Sequence, residues 1–113
     1  MRLKSGIWVA AYLRRAQVEG IAAVLRRRGA EEAGAIFIKV SRLDGQADLY
    51  APAPQSAFDE ARPSERAFTL ALGEKPEGDV EAYLTRQIRF DPDLWIVEVE
   101  DRAGRHFLDH IVR

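Results

Sequence analysis

Residues 33–54 read AGAIFIKVSRLDGQADLYAPAP, and they decide the fold. Ile36, Ile38 and Val40 alternate with Phe37, Lys39 and Ser41. After Leu43-Asp44-Gly45-Gln46, Ala47, Leu49 and Ala51 alternate with Asp48 and Tyr50. A period of two places alternate residues on opposite sides of a strand. Asp-Gly between two such runs is a strong hairpin signal, because glycine accepts the positive φ that a tight turn demands. The stretch therefore predicts two antiparallel strands with one buried face and one wetter face, the latter carrying Phe37 and Tyr50.

Upstream, Ser5 to Glu19 predicts a helix. Ser5 is placed to cap it, Trp8, Ala11, Tyr12 and Ala16 form the apolar stripe, and Gly20 stands just past its end. Ile21 to Arg28, IAAVLRRR, reads as a strand that buries Val24 and Leu25, although its composition also suits a helix. Downstream, Pro52, Pro54 and Pro63 mark residues 51–65 as irregular. Arg66 to Leu72 predicts a strand with Phe68, Leu70 and Leu72 inward, and Gly73 to Gly78 a turn. A second helix starts at an Asp79 cap and runs to Phe90, with Val80, Tyr83, Leu84 and Ile88 on its apolar face. Leu94 to Glu100 is a strand with Trp95, Val97 and Val99 inward. Residues 102–105 turn, and Phe107 to Val112 forms a short strand or a last turn of helix. Successive strands without intervening helices suggest antiparallel pairing. The expected architecture is one α+β domain over residues 1–113, with two helices packed on one face of a mostly antiparallel sheet of four to six strands.

The composition limits function. With 113 residues, 47% apolar and 31% charged, the chain can bury a core without a metal or cross-links. It contains no cysteine, which rules out disulfides, thiolate metal sites and a cysteine nucleophile and agrees with a reducing cytoplasm. No apolar run approaches the ~20 residues of a membrane span, and the N-terminal segment lacks the pattern of a signal peptide. The net charge of −1 gives no general attraction to nucleic acid. Charge is nonetheless uneven. Residues 1–50 carry nine Lys/Arg against five acids, and residues 51–113 carry eight against thirteen. Interleaving of the two halves accounts for this more simply than two faces of opposite sign.

Four groups are weighed for chemistry. His106 and His110 share a face at i, i+4, but the spacing lacks the Glu of an HExxH pair and a local third ligand, so no metal is assigned. Arg26, Arg27 and Arg28, with Arg14 and Arg15 nearby, could hold a phosphate or carboxylate through bidentate guanidinium contacts. Arg14, Arg26 and Arg28 are the candidate ligand-binding residues. Glu98, Glu100 and Asp101 form a carboxylate group that reads as an exposed strand face rather than an acid/base site. Phe37, Lys39 and Tyr50 are the candidate interaction surface. No nucleophile elbow or glycine-rich phosphate loop occurs, and no cofactor is expected.

Three segments, RLKSGIWVAAYLRRAQVEG, RRRGAEEAGAIFIKVSRLDGQADLYAPAPQ and RFDPDLWIVEVEDRAGRHFLD, resemble domain-of-unknown-function family 1491, short bacterial proteins found mainly in alphaproteobacteria. The resemblance spans nearly the whole chain and contains no catalytic signature. It implies a free-standing, single-domain, cytoplasmic bacterial protein and assigns no residue a role. The sequence thus favours a non-catalytic binding or interaction module, with a homodimer or another protein as partner. The alternative is a small-anion-binding protein or enzyme using the arginine cluster and the histidine pair. That alternative requires Arg14, Arg26, Arg28 and a histidine to converge on one concave pocket.

Overall fold

The computed structural model describes residues 3–54 and 66–112. The elements run α1 (Ser5–Val18), β1 (Ala22–Arg27), β2 (Ile36–Ser41), β3 (Gln46–Pro52), β4 (Phe68–Pro76), α2 (Glu77–Phe90) and β5 (Trp95–Glu100). The five strands form one sheet in the order β1-β5-β2-β3-β4. β1–β5, β2–β3 and β3–β4 are antiparallel, whereas β2–β5 is parallel. The fold class is the expected one, α+β with a mostly antiparallel sheet. The parallel pair arises because β5 returns after α2 and inserts between β1 and β2.

The helices lie on opposite faces of the sheet, not together on one. Val9 and Tyr12 of α1 pack with Ile36, Ile38, Val40, Trp95, Val97 and Val99, while Val80 and Leu84 of α2 pack with Phe37, Leu49 and Ile96. β2 is consequently buried at every position, and the wetter face expected for it does not exist. A sheet containing a parallel pair is usually covered on both sides, and this one follows that rule along β2. The hairpin register sets Ile38 opposite Tyr50 and Lys39 opposite Leu49. Tyr50 therefore belongs to the α1 side and Phe37 to the α2 side.

Local chemistry explains the boundaries. Lys4, not Ser5, is the residue preceding α1. The first N–H groups of α1 are met by backbone carbonyls instead of a side-chain cap: Ser5 donates to Glu32 and Gly6 to Glu31. The Ser5 hydroxyl is buried and donates to the Gly34 carbonyl at 2.6 Å. At the other end Gly20 has φ +74°, Gly20 N–H donates to Gln17 O, and Ile21 N–H to Ala16 O. This is the double-bonded Schellman ending that glycine favours. α2 begins at Glu77 rather than Asp79, and its first N–H donates to the Gly45 carbonyl.

β4 runs to Pro76, through the residues expected to turn. Register shifts opposite Leu49 put Leu70 beside Tyr50 and Leu72 beside Leu49, so the two leucines face opposite sides. Leu70 is exposed as a result, while Leu72 packs beneath α2. The C-terminal segment makes a parallel bridge, Ile111 to Phe68, rather than a helical turn. Most of the 51–65 loop, from residue 55 onward, lies outside the described residues.

The β1–β2 connection has to pass the start of the inserted β5. Ala30 N–H donates to Asp93 O at 2.8 Å, and the Trp95 indole N–H donates to Ala30 O at 2.8 Å. A Cβ at Gly29 or at Gly34 would collide with the Asp93 backbone carbonyl, which has no freedom to move aside. Gly78 in the first turn of α2 meets nothing within 4 Å. Gly29→Ala and Gly34→Ala are each expected to lower stability by about 1–3 kcal/mol. Gly78→Ala should raise it by roughly 0.5 kcal/mol. Urea unfolding of the three variants checks this ordering.

Candidate functional site

Lys39 points from the middle of β2 into the layer under α2, with its side chain only 4% exposed. Its ammonium lies 2.6 Å from Glu81, 3.0 Å from Glu77 and 3.5 Å from Glu98. Glu77 and Glu81 are spaced i, i+4 along α2, so both carboxylates point the same way. Arg26 completes the group. Its guanidinium grips Glu81 through two nitrogens at 2.7 and 2.8 Å and reaches Glu98 at 2.9 Å. The network thus ties β1, β2, β5 and α2 together with three carboxylates on two cations.

Its electrostatics follow from these contacts. Burial opposes the Lys39 charge, but hydrogen bonds to Glu81 and Glu77 hold its pKa above the ordinary lysine value. The Arg26 hydrogen bonds, reinforced by Lys39, pull Glu81 down to about 2.

Beside this network the outer strand β1 is bare. No described residue hydrogen-bonds to its side away from β5. β4, the other outer strand, is guarded. Phe68 N–H donates to His110 O and Val112 N–H to Phe68 O. Glu74 makes a kink at φ +49°, and Lys75 and Pro76 follow it. Such kinks, charges and prolines are the usual protection of a sheet edge. In β1 the charges and the one irregularity are confined to the Leu25–Arg27 end. Ala22 to Leu25 carries no such device, and Val24, expected to be buried, is 58% exposed.

A groove of about 470 Å³ runs along this edge. It is lined on one side by Leu13, Gln17 and Ile21, and on the other by Glu98 and Glu100. Register explains the acidic side: Ala22 pairs with Glu100 and Val24 with Glu98.

The residues singled out from sequence are dispersed. Arg26 is committed to Glu81 and Glu98, and Arg28 lies over the Trp95 ring at 5.5 Å. Arg14 is exposed on α1. None of the three lines the groove. The shift in pairing between Leu25 and Arg27 breaks the alternation that would have put Arg26 and Arg28 on one face. Phe37, Lys39 and Tyr50 are 6%, 4% and 8% exposed and lie on two faces, so they do not form one open surface.

His106 packs edge-on against Tyr50, its Nδ1 accepts the Leu108 N–H at 2.8 Å, and burial lowers its pKa. Among the described residues no three His, Asp or Glu side chains converge as a metal set. Sequence reasoning missed Glu77 and Glu81 as partners of Lys39. The available signal was a lone lysine inside the apolar run IFIKV, which requires a carboxylate from elsewhere in the chain.

The family model described as "Protein of unknown function (DUF1491)" matches residues 3–109. The chain belongs to the DUF1491 family. A DUF1491 protein from Caulobacter crescentus, solved by crystallography, is 40% identical with all of both chains covered and a TM-score of 0.79. The solution structure of the A. tumefaciens protein Atu0922 is also 40% identical, with 100% of this chain and 98% of that chain covered and a TM-score of 0.82. An NMR structure of a C. crescentus family member agrees, at 40% identity and a TM-score of 0.80. No curated protein matches the chain. Among the described residues no helix is long and apolar enough to cross a membrane.

The carboxylate of Glu81 titrates lower in the folded chain than its ordinary value of 4.5. Its stabilising effect is therefore complete above about pH 4.5 and is lost as pH falls toward about 2. Acid unfolding of the parent should steepen across that window, and Glu81→Gln should flatten it. Parallel profiles for the two proteins would contradict this assignment.

Proposed function

We propose that this DUF1491 protein is an interaction module that docks a partner along the outer edge of β1. The observation that supports the reading is the contrast between the two outer strands: β4 is guarded at both ends, while Ala22 to Leu25 offers an apolar, unpaired edge beside an open groove. An added strand would gain main-chain hydrogen bonds from β1, and alternate side chains would reach the groove walls. Glu100 on one wall, beside Ala22, favours a partner strand with a basic residue at the matching position. A cytoplasmic setting belongs to the same proposal and is supported by the cysteine-free composition.

The test is site-specific photo-crosslinking in the producing cell. A photoreactive residue at position 24 should give a discrete protein adduct, and the same residue at exposed Thr85 on α2 should not. Equal labelling at both positions, or none at 24, would overturn the reading.

A further inference from the structure

The edge carries its own complement. We propose that its occupant is a second copy of the chain, paired antiparallel through β1 about a two-fold axis at Val24. This rests on the docking role of the β1 edge and adds the identity of the partner.

A two-fold axis perpendicular to the sheet pairs residues of the same face. It sets Val24 against the second copy's Val24, Ala23 against its Leu25, and Ala22 against its Arg26. Small therefore meets large on both faces. On the α1 side, Ala23 lies below Leu13 and Ile21, and the second copy's Leu25 fills the space the alanine leaves in the groove. On the α2 side, Ala22 is flanked on its inner side by Glu100.

With neighbouring strands about 4.8 Å apart, the Cα atoms of Glu100 and the second copy's Arg26 lie about 10 Å apart across that alanine. A guanidinium and a carboxylate can bridge this distance. Arg26 holds its own Glu81 and Glu98 through its terminal nitrogens and has no described hydrogen bond at Nε. Glu100 has no ion pair among the described residues. Each pairing occurs twice by symmetry.

Charge also fixes the direction. A parallel, in-register pairing would stack Arg26, Arg27 and Arg28 on their own copies, whereas the antiparallel pairing moves that run to the Ala22 end, beside Glu100. Gly20 at one end and the pairing shift at Arg26 at the other limit the added ladder to residues 22–26. The product is a continuous sheet of two five-stranded halves, with both α1 helices on one face and both α2 helices on the other.

Sedimentation of the purified full chain from micromolar to millimolar concentration reads the proposal. The parent should shift to twice the monomer mass. Val24→Lys places like charges against each other at the axis and should stay monomeric, with the thermal midpoint of the parent diluted below its dimer range, because Val24 is exposed in the single chain. The chain has no cysteine, so Val24→Cys provides a second readout that does not depend on Val24→Lys folding. It should form a disulfide-linked dimer on mild oxidation, faster than Thr85→Cys.

A parent that remains monomeric across the range, with no faster cross-linking at 24 than at 85, overturns self-pairing. If position 24 then photo-crosslinks to a different protein, the docking edge survives and only the second copy is rejected. If it labels nothing, both proposals fall.

Discussion

A lysine in the middle of a strand covered on both faces must bring its counter-charges into the core with it. Lys39 is that lysine, and the folding of the α2 half follows from its needs. Its neighbours in β2 are apolar and buried, so the ammonium can be satisfied only by groups from other elements. Glu77 and Glu81 come from α2 and Glu98 from β5. A buried charge left without partners costs several kcal/mol, while a paired one gains little over an apolar residue of the same size. The network therefore acts chiefly as a constraint. It favours one rotation of α2 about its axis, which presents Glu77 and Glu81 to Lys39, and one register of β5 beside β2, which presents Glu98.

The insertion of β5 has a second cost, met at the opposite end of the strand. The β1–β2 connection must cross the first residues of β5 closely enough for Ala30 to bond Asp93 and for Trp95 to bond Ala30. Only glycine fits at 29 and 34. The same crossing supplies the carbonyls of Glu31 and Glu32 that satisfy the start of α1. One strand insertion thus sets the helix entry on one face and the ion network on the other, and it leaves β1 as the outermost strand.

Period-two alternation made the hairpin legible, and Gly20 marked the end of α1 correctly. The sequence could not reveal the partner of β5, since pairing between Ile36–Ser41 and Trp95–Glu100 depends on a return path through α2 that no local pattern encodes. For the same reason the sequence does not separate the helices onto opposite faces: alternation shows that a strand has two sides but not what covers each. Arg26 and Arg28 look like one binding surface until a single shift in pairing after Leu25 turns them apart. Phe37 and Tyr50 look like one exposed face until the hairpin register sends them to opposite sides. Long-range pairing and small irregularities in register account for most of the difference, and both lie beyond local periodicity.

The functional reading inherits this geometry. Glu98 serves Lys39 and Arg26 on its inner side and lines the β1 groove on its outer side, so the internal network and the proposed docking edge share a carboxylate. The central claim, that Lys39 and the α2 carboxylates lock the helix to the sheet, is tested most directly by a double-mutant cycle on Lys39→Met and Glu81→Gln in urea. The account predicts a coupling of about 2 kcal/mol, clearly above the roughly 0.2–1 kcal/mol of exposed pairs. A coupling within that exposed range would contradict it.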